Sequence, residues 1–438
     1  MNLIQKIALA YLLFVITLGW GFGIGRFNWF PAPILAEIAS FARGGAAEQS
    51  TLSEKLASTM GTRPVARLMN TYGPANKEEF TTVDVPGLNS WREKPRMYRA
   101  QGMAPGYRVI IGAFDFEENV WGAILLDEQG KVLHRWHMTS ENLPTNKKPD
   151  NIKALYGASV LRDGSIIFIL YEGGGIVKVD ACSRQSWALL GDFHHTIALV
   201  DDHSAFWTFA GLDTTLDQQF ALVDVKSGAI LKSIDTKDVR PRNPLINIFD
   251  LQAKADTYDA THGNDVDPLP ASLQPVFPGF KAGDLLISYR TTNLVYVLDP
   301  DTLEVKWWRV GAWDRQHDPD WQPDGTITVF SNNLNSEKKH STIVSMDPRT
   351  MMSKVILDGA DYNFIARYQG THQLTRHGTM IVNSGLAGRV FEVDRNGKVV
   401  FEFINSVDWN DSQNLIIADS FQFDRDYFDL AEIKKCAR

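Results

Sequence analysis

Four of the ten histidines in this 438-residue chain head similarly built segments: His195 opens HTIALVDDHSAFW, His262 opens HGNDVDPLP, His317 opens HDPDWQPDG and His372 opens HQLTRHGTM. An imidazole with a pKa near ~6.5 can attack as a nucleophile, carry a proton or ligate a transition metal at neutral pH. One histidine at the start of a strand is most simply a packing or capping residue. Four at one phase ask for a shared purpose. The span from His317 to Gly325 exceeds that from His372 to Gly378 by two residues, which keeps both side chains on one strand face. Arg290 (in LLISYR) is the candidate cation, and Asn264 (in HGN) a neutral donor. By contrast, His134, His137, His203, His340 and His377 fall within hairpins or turns and read as surface or packing residues. His194 adjoins His195 and must face the other way.

Such residues meet only if repeated elements bring them together. From Tyr107 onward the chain alternates short apolar strands with turn residues, and a unit recurs: an apolar strand ending in Asp, a turn, then a second strand. Its six copies carry Asp127, Asp180, Asp224, Asp299, Asp347 and Asp394. An Asp followed by Gly or Pro suits a tight turn, because its carboxylate can accept its own downstream backbone N–H groups. A second hairpin precedes several of these (ASVLRDGSIIFIL, DPDWQPDGTITVF, QLTRHGTMIVNSG), so the two together make a four-stranded unit. Six such units predict an all-β fold, a six-bladed β-propeller over residues 107–430, and the period-two alternation excludes helical repeats. The first blade lacks a strand, which NLIIADSFQF near 414–423 can supply, closing the ring and removing its open edges. In a propeller each blade's first strand lines the central channel, so the four histidines are expected at one mouth.

At this point the motifs resemble those of the arylsulfate sulfotransferases. Trp313-Asp-Arg-Gln-His317-Asp, running on to Asp324-Gly325, is similar to that family's QHD…DG signature, and His262-Gly-Asn264 to its HxN motif. LLISYRTTNLVYVLD and RVFEVDRNGKVVFEF resemble later family blades, and the likeness covers roughly residues 107–428. The resemblance implies a periplasmic propeller that moves a sulfuryl group from a phenolic sulfate ester to a phenolic or other hydroxyl acceptor. It implies no 3′-phosphoadenosine 5′-phosphosulfate, no other cofactor and no metal, and a transiently sulfated histidine. Carried over by residue, His262 and His317 bind sulfuryl oxygens or shuttle protons, and Arg290 clamps charge. His372 matches the sulfated histidine by order along the chain, and Asn264, His195 and Asn332 are expected to bind substrate. The chain departs from the family in two places. The arginine that follows the QHD strand is absent from FSNNLNSEKKH, where Lys338, Lys339 or His340 could substitute, and the paired cysteines of some members are missing. Two other readings stay open: a non-catalytic envelope propeller that scaffolds or binds glycans, and a transition-metal site in the histidine cluster.

Composition narrows the rest. A formal net charge of -8 with no basic stripe argues against nucleic acid as a partner. No G-x-x-x-x-G-K-[ST] loop is present to cradle a nucleotide phosphate. Cys182 and Cys436 lie far apart in sequence, so a disulfide between them is a possibility that the spacing does not favour. Residues 1–27 include the uncharged run IALAYLLFVITLGWGFGIG, long enough for a transmembrane anchor and without a clear cleavage site. The expected organisation is therefore a membrane anchor (1–27), a helical and irregular arm (28–106) with Thr51-Leu-Ser-Glu54 opening a helix to about Leu68, and an exported propeller (107–430).

Overall fold

The recurring Asp units fold as hairpins joining the third and outermost strands of six antiparallel sheets. Each carboxylate accepts backbone N–H groups of its own turn. Asp127 accepts from Gln129 and Lys131, Asp180 from Cys182 and Arg184, Asp394 from Asn396 and Lys398, and the remaining three make the same kind of turn. This local chemistry sets six strand reversals before any long-range contact forms. The computed structural model describes residues 77–88, 93–115, 120–138, 155–170, 175–211, 219–249, 261–334, 340–408 and 413–436.

The six sheets are the blades of a β-propeller, each with its strands in order from the channel outward. Blade one comprises Ile417–Phe423, Tyr107–Asp115, Val120–Leu126 and Val132–Met138; blade two Leu155–Val160, Ile166–Leu170, Gly175–Val179 and Gln185–Leu189. Blade three is Phe193–Leu199, Ala205–Ala210, Gln219–Asp224 and Ile230–Asp235; blade four Gly263–Pro268, Leu285–Tyr289, Leu294–Leu298 and Val305–Val310. Blade five is His317–Trp321, Ile327–Ser331, Thr342–Met346 and Ser353–Asp358; blade six Thr371–Leu374, Met380–Ser384, Arg389–Val393 and Val399–Ile404. The missing strand of blade one is supplied from the C-terminal end, as expected, with Ile417–Phe423 antiparallel to Tyr107–Asp115. Two segments of the arm extend blade six outward: Arg96–Arg99 pairs with Val399–Ile404, and Thr81–Thr82 pairs with Arg96–Arg99.

The apolar core is divided among the seams between blades. Trp207, Phe209 and Phe220 of blade three pack with Leu285, Ile287 and Tyr289 of blade four, and a similar cluster fills the seam between blades six and one. A sheet buried on both faces reads as a continuous apolar run, which is why LLISY, LVYVL and ITVFS are buried throughout. Among the described residues no helix is long and apolar enough to cross a membrane. The expected anchor and the helix expected from Thr51 to about Leu68 lie outside the described residues. Cys182 and Cys436 form a disulfide with a Cα–Cα separation of 4.8 Å, which corrects the reading from sequence spacing.

Candidate active site

Five of the six channel-lining strands carry a register irregularity near their first residues. It falls between Ile417 and Asp419, Tyr156 and Ala158, His194 and Ala198, Gly263 and Asp265, and His317 and Asp320. A bulge breaks the in–out alternation and re-aims a side chain, often beside a functional site. His195, His262 and Asp318 adopt left-handed backbone conformations at φ of 69°, 48° and 52°. Each such position costs of order 1 kcal/mol and persists where its surroundings require it. The result is that neighbours in sequence, such as His317 with Asp318 and Asn264 with Asp265, line one cavity of about 330 Å³.

Imidazoles from blades three and five line this cavity, and His262 of blade four stands behind them against His195. The His195 ring stacks on Tyr156 at 4.5 Å and meets the His262 ring edge-on at 4.9 Å. Its Nδ1 lies 2.8 Å from Nδ1 of His194, so one ring donates to the other's lone pair. Burial, followed by the nearby His194, His262, His317 and Arg290, holds His195 well below the ordinary histidine pKa. Burial likewise lowers His317 to about 3, against the opposing hydrogen bond to Asn332 and with help from Arg290 and His262. The backbone N–H of Arg290 donates to the His262 carbonyl, which fixes the cation's root beside the cluster.

The tautomer of His317 follows from its partner. Asn332 donates both amide hydrogens to carbonyls, of Ala366 at 2.7 Å and Gln369 at 2.8 Å, so its Oδ1 can only accept. His317 Nδ1 lies 2.7 Å from that oxygen and must carry the proton. That assignment leaves the lone pair on Nε2, and the Arg315 backbone also approaches the ring and, like Asn332, favours its charged form. Asn332, expected to bind substrate, is instead 2% exposed and orients His317. Asn264 spends an N–H on the Gln316 carbonyl at 2.7 Å, which steadies the same strand entrance from blade four.

His372 is brought to the same cavity but is differently employed. Its side chain is wholly buried, with Nδ1 2.8 Å from Asp318 Oδ2 and Nε2 2.7 Å from Thr328 Oγ1. Both nitrogens are thus engaged, and no lone pair faces the channel. The resemblance points to His372 as the sulfated histidine, and here its ring is held between Asp318 and Thr328.

Sequence reasoning passed over the carboxylates. Asp265 and Asp267 from blade four, Asp318 and Asp320 from blade five, and Asp419 from blade one all line the cavity. The visible signal was the pair of D-x-D patterns, whose period of two puts both acids on one face. Burial and then the charge of Asp318 raise Asp267 to about 8 and Asp419 to about 7. The same two causes hold Asp320 well above the usual carboxyl range, and Asp265 too. Asp318, Asp320 and His372 bring three possible ligand atoms within 4.8 Å of one another, with the His372 nitrogens hydrogen-bonded to Asp318 and Thr328. Of the proposed substitutes for the family arginine, His340 gives its carbonyl to Asn333, while Lys338 and Lys339 lie outside the described residues.

No curated protein matches the chain in sequence. Among solved structures, a protein of unknown function from Bacteroides caccae is similar at 10% identity and a TM-score of 0.43, covering 68% of this chain and 93% of its own. TolB from Acinetobacter baumannii is similar at 10% identity and 0.43, covering 68% and 63%. Virginiamycin B lyase from Staphylococcus aureus is similar at 9% identity and 0.34, covering 57% and 70%. The sequence model of the family described as Arylsulfotransferase (ASST) matches residues 158–406, more than half of the chain and a span that includes the four channel histidines and Arg290. The chain belongs to the arylsulfotransferase family.

Proposed function

We propose that this protein transfers a sulfuryl group from an aryl sulfate ester to a hydroxyl acceptor without a nucleotide cosubstrate, and that His317 is the residue transiently sulfated. The observation that carries this reading is the fixed tautomer of His317: Nδ1–H donates to Asn332, and the Nε2 lone pair remains for the cavity. An imidazole kept neutral at pH 7 needs no deprotonation before it attacks. As the N–S bond forms and the ester O–S bond breaks, positive charge grows on the ring, and the Nδ1–H to Asn332 bond strengthens. His195 lines the cavity and would donate to the sulfuryl oxygens, while Arg290 and His262, near enough to His317 to lower its pKa, would act as charge clamp. The acceptor oxygen then takes the group, the N–S bond breaks and neutral imidazole returns.

A cavity of about 330 Å³ suits a small aryl ester rather than a polymer. The Cys182–Cys436 disulfide supports an exported, oxidising location for the propeller, consistent with the membrane anchor expected from residues 1–27. The test is a mass measurement after incubation with 4-nitrophenyl sulfate. One sulfuryl group is expected on the peptide bearing His317, absent from His317→Asn and retained in His372→Asn. An adduct on His372 overturns the residue assignment, and a wild-type protein with neither adduct nor turnover leaves the non-catalytic scaffold.

A further inference from the structure

Sulfuryl transfer requires a proton to move twice, and the sulfated imidazole cannot be its carrier. A departing phenoxide is strongly basic, its phenol having a pKa of about 10, and the acceptor must shed a proton as it attacks. His317 holds the sulfuryl group in that interval, and His195 Nδ1 is committed to His194.

The residue next to the nucleophile is differently placed. Asp318 follows His317 directly, and its left-handed backbone within the bulge turns its carboxylate into the same cavity. Both the backbone N–H and the Nδ1–H of His372 donate to Asp318 Oδ2. Oδ1 has no hydrogen bond among the described residues, on a side chain 19% exposed. His372 is in turn held by Thr328, whose hydroxyl also accepts from Gln322. The fold thus spends a buried imidazole on aiming one carboxylate.

We propose that Asp318 is the acid and base of the transfer and that His372 is its positioning residue. The inference rests on the sulfuryl-transfer reading and deepens it. In the donor half, protonated Asp318 gives its proton to the leaving phenoxide oxygen while the N–S bond forms on His317. In the acceptor half, ionised Asp318 takes the hydroxyl proton while the new O–S bond forms and the N–S bond breaks, which restores the starting state. One group switching from acid to base is what microscopic reversibility asks when leaving group and acceptor are both phenols. The groups that face Asp318 are Asp265 and Asp267 from blade four, Asp320 from its own strand, Asp419 from blade one and His372 from blade six. Each of the four neighbouring carboxyls feels its charge and resists ionising.

The experiment compares donors in a single turnover without acceptor. Phenyl sulfate needs its leaving group protonated, whereas 4-nitrophenyl sulfate releases a stable phenoxide. In Asp318→Asn, phenol release from phenyl sulfate is expected to fall by about 10²–10⁴-fold, and from 4-nitrophenyl sulfate by less than about tenfold. Asparagine also tolerates the left-handed backbone, so the bulge survives the change. His372→Asn can still donate to Oδ2, while His372→Leu cannot, so the leucine variant is expected to lose more, and only with phenyl sulfate. Should Asp318→Asn fail to fold, that pair decides alone. Equal losses with both donors, or none with phenyl sulfate, overturn the proposal. A wild type that releases no phenol from either donor overturns the sulfuryl-transfer reading itself, and this inference with it.

Discussion

At the scale of single residues, the channel sets two kinds of titrating group against each other. His317 is lowered to about 3, so the unfolded chain binds a proton there that the folded one refuses between about pH 3 and ~6.5, and stability rises with pH across that window. Asp267 is raised to about 8, so the folded state keeps a proton that the unfolded chain has lost above ~4, and stability falls as pH rises toward 8. Asp419, raised to about 7, adds to the falling limb. The melting temperature is therefore expected to drop from pH 6.5 to 8, where only the carboxyls still act. Asp267→Asn, which mimics the protonated carboxyl, should flatten that drop in scanning calorimetry; a wild type that gains stability over the same range contradicts the assignment. The histidines were legible because four of them shared a phase and two sat in recognisable motifs. The carboxylates were not, since an acidic residue beside a turn ordinarily reads as solvated. Nor could chain order show that Thr328, 44 residues before His372, would occupy its second nitrogen.

Elements explain both what sequence reading saw and what it missed. The six Asp hairpins were visible because their stabilising bonds lie within four residues of the carboxylate. Bulges were hidden, because strict alternation predicts opposite faces for His317 and Asp318, and only the irregularity turns both inward. The seams that fix these strands leave little slack. At Gly157, φ is 28°, and a Cβ would stand 2.2 Å from the backbone carbonyl oxygen of His195 in the next blade. That contact is backbone on backbone, so no side chain can swing aside. Gly157→Ala is expected to cost about 1–3 kcal/mol in urea unfolding and to displace His195, raising KM for the aryl sulfate more than it lowers the rate of the chemical step. An alanine variant with wild-type stability and KM would mean that blades two and three do not meet as tightly as this. The seam between blades six and one adds charge to its apolar cluster: Glu392 of blade six accepts from Arg108 of blade one and from the Ala104 backbone, all three buried.

For the whole molecule, the decisive step is closing the ring, and the disulfide belongs to that step. A strand from residues 417–423 completes a blade begun 310 residues earlier at Tyr107, and the repeat pattern foretold it because one blade was a strand short. Sequence separation misled the reading of the cysteines, since residues 254 apart in the chain become neighbours once the ring has closed. After the closing strand the chain crosses to blade two, where the Tyr427 hydroxyl donates to the Val160 carbonyl and the Asp429 N–H to that of Arg162. The short helix Leu430–Lys434 then buries Ile433 beside Gly164 and delivers Cys436 to Cys182 in blade two's outer hairpin. The bond therefore straps the closing strand across blade one to its neighbour. Chain entropy for so long a loop puts its contribution at roughly 5–6 kcal/mol. A Cys182→Ser, Cys436→Ser double variant should unfold at lower urea concentration, and reduced wild-type protein should match it. Because Asp419 sits on the strapped strand, the loosened ring should also lose part of the carboxyl-dependent fall in stability above pH 6.5. Equal urea midpoints for oxidised and reduced protein would mean that strand pairing alone holds the ring shut.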